Sequence, residues 1–271
     1  MSAAPVLSRV TALLRRDLII ELSYSFQLFI RFVSIAMAVA MFFFLGRLVG
    51  EAEQLAAFEG GYFEFVIIGL VVMQYSQACV NSFSQSMQRA QADGTLEILL
   101  STATRLPTLL TGTLLVPLLL ASVEASLFLV VGAVFGQLDF RFGEVALSGI
   151  LLLLTLGTFA AIGILSATVI VLTKRGDPFS SLALQASNLL AGAVFPVAVL
   201  PPALQLLSKL VPATYGLRGV RTVMLADGGV ADVAFEMLVL VGFNVVLLPV
   251  ATWSLSRALR IARVTGTLGN R

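Results

Sequence analysis

Residues 145–172 read VALSGILLLLTLGTFAAIGILSATVIVL, with no charged side chain along their whole length. A helix needs about 20 mostly apolar residues to cross the roughly 30 Å hydrocarbon core of a bilayer. This run exceeds that requirement. Working outward, comparable runs occupy 26–48, 62–86 and 107–134 before it, and 179–199 and 233–256 after it. The chain is 58% hydrophobic and 12% charged, with a mean hydropathy of +0.99, against about 25% charged residues in ordinary soluble domains. The expected fold is therefore an all-α membrane protein with six transmembrane helices. Its 271 residues leave room for the spans and short loops but for no separate soluble domain.

The remaining segments fill in this frame as one domain over 1–271. Residues 5–22 place Val6, Leu7, Val10, Leu14 and Leu18 at helical spacing, with Ser8, Arg9, Arg15 and Arg16 opposite. That pattern predicts an amphipathic interfacial helix within a cytoplasmic segment 1–25. A six-span bundle over 26–258 and a basic cytoplasmic tail over 259–271 follow. Six crossings put both termini on one side. That side receives Arg9, Arg15, Arg16, Arg89, Arg105, Lys174, Arg175, Arg257, Arg260, Arg263 and Arg271, against Arg47, Arg141, Lys209, Arg218 and Arg221 on the other. The basic excess marks the termini as cytoplasmic. Arg31 lies near the inner end of the first span, within reach of headgroups by snorkelling.

Several chemistries are excluded. The 17 Lys and Arg residues are dispersed, so no nucleic-acid-binding face is formed. Histidine is absent and Cys79 is the sole cysteine, which removes the commonest general base and any intrachain disulfide. A phosphate-binding loop needs Gly-Lys followed by Ser or Thr, whereas Lys174 follows Thr173 and Lys209 follows Ser208. No nucleotide site exists in the chain, and intrinsic catalysis is not expected. Any ATP and Mg used by the system belong to a partner.

Polar residues inside the spans are the informative ones. Gln74, Gln77, Asn81, Gln85 and Gln88 follow increments of three and four, so they share one helical face. This stripe reads equally as the wall of a hydrated pathway or as hydrogen-bonded glue between helices. Ser181, Gln185, Asn188 and Gly192 repeat the idea in the fifth span. Glu124 stands deep in the third span, where an acid must face protein or water. Arg31 is expected to lie too far toward the inner surface to be its partner. Between the last two spans, Pro196, Pro201, Pro202 and Pro212 bracket an apolar patch over 203–211, too short to cross. With a second short helix around Tyr215 to Leu225, it predicts an outer re-entrant hairpin.

After the second span comes Asp93-Gly94-Thr95-Leu96-Glu97-Ile98-Leu99-Leu100 and a threonine-rich turn over 102–104. Asp93 is a plausible N-cap for a short helix with Leu96, Leu99 and Leu100 on one side, and an exposed apolar ridge marks a partner surface. This block resembles the coupling helix of the permease subunits of type-2 ABC exporters, with Ala103 where family members often carry proline. A second block resembles the family's fifth helix and hairpin: Lys174-Arg175-Gly176-Asp177-Pro178, Phe195-Pro196, Leu200-Pro201-Pro202, Leu210-Val211-Pro212 and Thr214-Tyr215 with Arg218 or Arg221. The resemblance implies a permease in the plasma membrane of a prokaryote, paired with a second permease, most simply itself, and with two copies of a cytoplasmic ABC ATPase. It implies export of an amphipathic drug-like, lipid or lipid-linked glycan substrate. The helix from Asp93 to Leu100 would receive the ATPase stroke, and Gln74, Gln77, Asn81, Gln85, Gln185 and Asn188 would line the pathway. The alternatives are an ion-gradient-driven secondary transporter and a membrane scaffold that transports nothing.

Overall fold

The computed structural model describes residues 25–49, 61–92, 106–135, 142–173 and 178–264. The amphipathic helix expected over 5–22, the Asp93–Leu100 segment and the tail from 265 lie outside the described residues. Among the described residues eight α-helices follow one another: α1 Ser25–Val49, α2 Tyr62–Ala92, α3 Leu106–Phe135, α4 Phe142–Thr173, α5 Pro178–Leu190, α6 Pro202–Ser208, α7 Pro212–Leu225 and α8 Ala234–Val264. No strand occurs among the described residues. The apolar runs become helices because a chain in hydrocarbon must satisfy its backbone hydrogen bonds within the segment. Five helices among the described residues (α1, α2, α3, α4 and α8) are long and apolar enough to cross a membrane. Pro117 in α3 and Pro249 in α8 are carried inside continuous helices.

The fifth apolar run departs from expectation. Instead of one span over 179–199, α5 stops at Leu190, and its 13 residues rise only about 20 Å. Gly192 takes φ +68°, the left-handed conformation that costs glycine nothing. The Gly192 amide returns to Leu189 O at 3.2 Å and the Ala193 amide to Asn188 O at 3.2 Å, the paired bonds of a Schellman C-cap. Beyond it, Pro196 precedes a single 3-10 turn at Val197–Val199. Pro202 and Pro212 then start α6 and α7, positions where a missing amide costs nothing. The two short helices foreseen around 203–211 and 215–225 are thus present, each starting earlier than expected.

Cross-element contacts give the helix directions. Phe43 meets Phe63 edge-on at 5.5 Å, so the end of α1 lies beside the start of α2. The Asn244 amide donates to Leu154 O at 2.8 Å and Thr168 Oγ1 lies 3.4 Å from Ser254 Oγ. Residue numbers rise together along α4 and α8, so these two helices run parallel. The chain therefore passes from the Thr173 end of the bundle to its opposite end between residues 178 and 233, by way of α5 and the segment after it. Glycines set the closest approaches. A Cβ on Gly216 of α7 would lie 2.0 Å from Thr155 Oγ1 of α4, and one on Gly157 would lie 2.1 Å from Asn244 Oδ1. Small residues of this kind let helix backbones approach where lipid supplies no hydrophobic driving force.

Candidate functional site

Polar groups inside the bundle gather in three places. The first joins α1, α2 and α3. Glu124 is 4% exposed; its Oε1 lies 3.1 Å from Arg31 Nη1, and its Oε2 accepts from Gln74 Nε2. This corrects the expectation that Arg31 is too shallow. The register is set at the other end of the helices by the Phe43–Phe63 contact. From there, Arg31 lies about 18 Å back along α1 and Gln74 about 16 Å forward along α2, which is nearly the same level. Depth reckoned from the ends of apolar runs missed this because the runs are not level: Phe43, six residues before the end of α1, meets Phe63 at the very start of α2. Glu124 is thus partnered, and Gln74 serves as glue between α2 and α3, beside a Tyr75 hydroxyl that lies 2.9 Å from Ser122 Oγ.

The second place holds the rest of the polar stripes. Gln77 and Asn81 are half-buried on α2, and Gln85 is exposed, its Oε1 accepting from Arg89 at 3.4 Å. On α5, Ser181 and Gln185 are exposed together with Leu182, Ala186 and Leu189, and Asn188 is half-buried. A helix face carrying a free amide among leucines is poorly matched to lipid tails, where an unsatisfied polar group is costly. It suits water or another protein surface.

The third place was not foreseen. Arg221, counted from sequence among the basic residues of the outer side and within the hairpin's second short helix, is 4% exposed inside the bundle. Its Nε and Nη2 donate to Phe65 O at 3.2 and 3.0 Å, Nη1 to Gly192 O at 2.9 Å and Nη2 to Ala193 O at 2.7 Å. The guanidinium carbon lies 3.3 Å from the Phe65 ring centroid. The charge is met by carbonyl dipoles and a ring face. Gly69 makes the space, since a Cβ there would stand 2.0 Å from Ala193 O and 2.8 Å from Arg221 Nη2. One signal in the sequence pointed here: Leu217 and Met224 place apolar residues one turn either side of Arg221 on the same face of α7.

Around this clamp the α6–α7 segment is tied down by its own side chains. Ser208 Oγ donates to Leu190 O at 2.7 Å, Thr214 Oγ1 to Ser208 O at 2.8 Å and the Tyr215 hydroxyl to Lys209 O at 2.8 Å. Gln205 Nε2 donates to Leu200 O at 2.8 Å and Ala198 O at 3.1 Å. Pro196 and Pro201 hold extended backbone at the starts of the 3-10 turn and α6. Arg218 points outward and pairs with buried Glu236 at 3.4 Å, joining α7 to the first turn of α8. The segment Asp93–Leu100, proposed to couple to an ATPase, begins where the described part of α2 ends and lies outside the described residues.

A bundle of long apolar helices with a broken fifth helix, two short proline-started helices and polar faces on α2 and α5 is that of a multi-pass membrane protein. A search of curated proteins finds no match. The profile of one family, described as ABC-2 type transporter, matches residues 8–225, which is more than half of the chain and includes every element from α1 to α7. This multi-pass membrane protein is an ABC transporter permease subunit, and the chain belongs to the ABC-2 type transporter family.

Proposed function

We propose that the chain is the permease of an ATP-driven exporter. In this reading it works as a pair of identical subunits with two cytoplasmic ATPase subunits in a prokaryotic plasma membrane, and moves an amphipathic drug-like, lipid or lipid-linked glycan substrate outward. ATP and Mg are bound by the partner, and the permease has no enzymatic step of its own. The observation that carries the reading is the exposed face of α5, where the amide of Gln185 stands among Leu182, Ala186 and Leu189 and calls for water or a second subunit. Facing its copy across a two-fold axis, this face would wall a conduit together with Gln77 and Asn81 of α2. α5 and the segment after it would make the sixth passage, broken at Gly192, with α6 and α7 dipping into the outer leaflet as a re-entrant gate. ATP binding would draw the ATPases together and push on the helix from Asp93 to Leu100, exchanging two packings of the bundle.

The ion-driven alternative is weakened by the geometry. It needs ionisable groups free near mid-membrane, and Glu124, the deepest acid, is committed to Arg31 and Gln74. The test is purification of the tagged chain from its native membrane in mild detergent. A stoichiometric ATPase with a phosphate-binding loop is expected to accompany it, and Glu97→Lys is expected to abolish ATP-dependent transport by reversing the charge at the contact. A clean oligomer without an ATPase, across several detergents, would point to a carrier or scaffold. A Gln185→Cys variant in a Cys79→Ala background should form a self-crosslink if α5 faces its copy.

A further inference from the structure

This inference rests on the exporter reading, in which segment 93–100 receives the stroke of an ATPase. We propose that Arg221 is a positioning residue that ties α2 to the broken end of α5, so that a displacement of α2 moves the segment 191–211 with it.

Three observations converge on the joint. α2 is an unbroken helix of 31 residues, a rod of about 46 Å, which leads at Ala92 directly into the proposed coupling segment. Near its other end, Phe65 offers both its carbonyl and its ring to the guanidinium of Arg221. The same guanidinium holds Gly192 O and Ala193 O, carbonyls that the left-handed turn at Gly192 directs away from the α5 ladder. In a low-dielectric interior such carbonyls must be met. An arginine meets two elements at once because its donors diverge in a rigid fork while its flat face stacks on a ring. A lysine at this position would keep the charge but would neither fork nor stack. Gly69, one turn along α2 from Phe65, leaves room for the joint only because it has no side chain.

A pin that merely stabilises the fold and a joint that transmits movement predict different results. The experiment uses the full permease–ATPase complex with Cys79→Ala and a reporter Leu206→Cys on the exposed face of α6, where Leu206 is 65% exposed. Labelling by a biotin maleimide is followed without nucleotide, with ATP and Mg, and after vanadate trapping. In the parent complex the labelling rate is expected to change at least about fivefold between states, the low end of ordinary coupling between sites. In Arg221→Lys and in Gly69→Ala that dependence should vanish while ATP hydrolysis per complex stays within about twofold of the parent, as loss of coupling alone requires. Arg221→Ala should regain the dependence on addition of millimolar guanidinium, which fills the vacated fork, and Gly69→Ala should not. The proposal is overturned if both variants keep the nucleotide-dependent labelling. It is equally overturned if hydrolysis and labelling dependence fall together with thermal stability, or if the parent complex hydrolyses ATP without any change at residue 206. If no ATPase accompanies the permease at all, the exporter reading itself fails, and that outcome is read separately from the labelling.

Discussion

At the scale of single residues, the Arg31–Glu124 pair is asymmetric, and the asymmetry is measurable. The side chain of Glu124 is 6% exposed and that of Arg31 38%, so the acid is committed to the interior while the base is partly exposed at the surface of the bundle. Removing the partner of a buried charge costs about 3–5 kcal/mol when the remaining charge cannot escape. Arg31→Met takes the cation away from the carboxylate while the bond from Gln74 remains, and should approach the lower end of that range. Glu124→Gln keeps an acceptor for Gln74 and leaves an arginine able to snorkel, so its loss should be near 1 kcal/mol, that of an ordinary hydrogen bond. The double variant should be more stable than Arg31→Met alone. Buried Cys79 reports all three, through the temperature at which it becomes reactive to a fluorogenic maleimide. If Arg31→Met proves milder than Glu124→Gln, the acid is not the trapped partner.

At the scale of elements, the packing of α4 against α7 and α8 depends on glycines whose neighbours differ in how far they can yield. Gly216 faces the short branched side chain of Thr155, with heavy atoms at 2.0, 2.8 and 3.0 Å from an added Cβ. Thr155 is itself held by its bond to Leu151 O at 2.8 Å. Gly216→Ala must push the helices apart and should cost about 1–3 kcal/mol, as overpacking generally does. Gly242 of α8 has nothing within 4 Å of an added Cβ, so Gly242→Ala should be neutral or stabilise by up to about 1 kcal/mol through helix propensity. Thermal unfolding of the two variants side by side checks the pair, and equal effects would contradict the α4–α7 contact. The same contrast explains what was legible from sequence. The long helices follow from hydropathy, because an apolar run in lipid has little choice but a helix. The end of α5 does not, because residues 179–199 stay apolar straight through the break, and hydropathy cannot see a φ angle. Its signal was Gly192 followed four residues later by Pro196, a helix stop hidden inside a span. Arg31 with Glu124, and Arg221 with Phe65, Gly192 and Ala193, depend on the relative register of separate helices, which no local pattern carries.

At the scale of the molecule, the number of continuous spanning helices and the path of the chain give different topologies. The five helices long and apolar enough to cross among the described residues, taken alone, would leave the two termini on opposite sides of a membrane. The contacts argue otherwise. α8 runs parallel to α4, since Asn244 meets Leu154 and Ser254 meets Thr168, and α4 ends at Thr173 just before α5 begins at Pro178. The chain must therefore return to the opposite end within residues 178–233 before α8 can start. It does so by a helix, a glycine break and two short helices rather than by one long span. Ser25 and Val264 then lie at the same end of the bundle. That end carries Arg89, Arg257 and Arg260, and in the proposed orientation it is the cytoplasmic one, as the basic excess expects. A fluorescent protein that matures only in the cytoplasm should be bright on either terminus, and an alkaline phosphatase that folds only outside should be active when joined after Asp227 and inactive after Arg271. Activity after Arg271 would mean that residues 178–233 do not cross, and the parallel pairing of α4 with α8 would then be wrong as well. The fusions therefore test the register of the bundle and its orientation in one measurement, and they do so without knowledge of the substrate or of the ATPase.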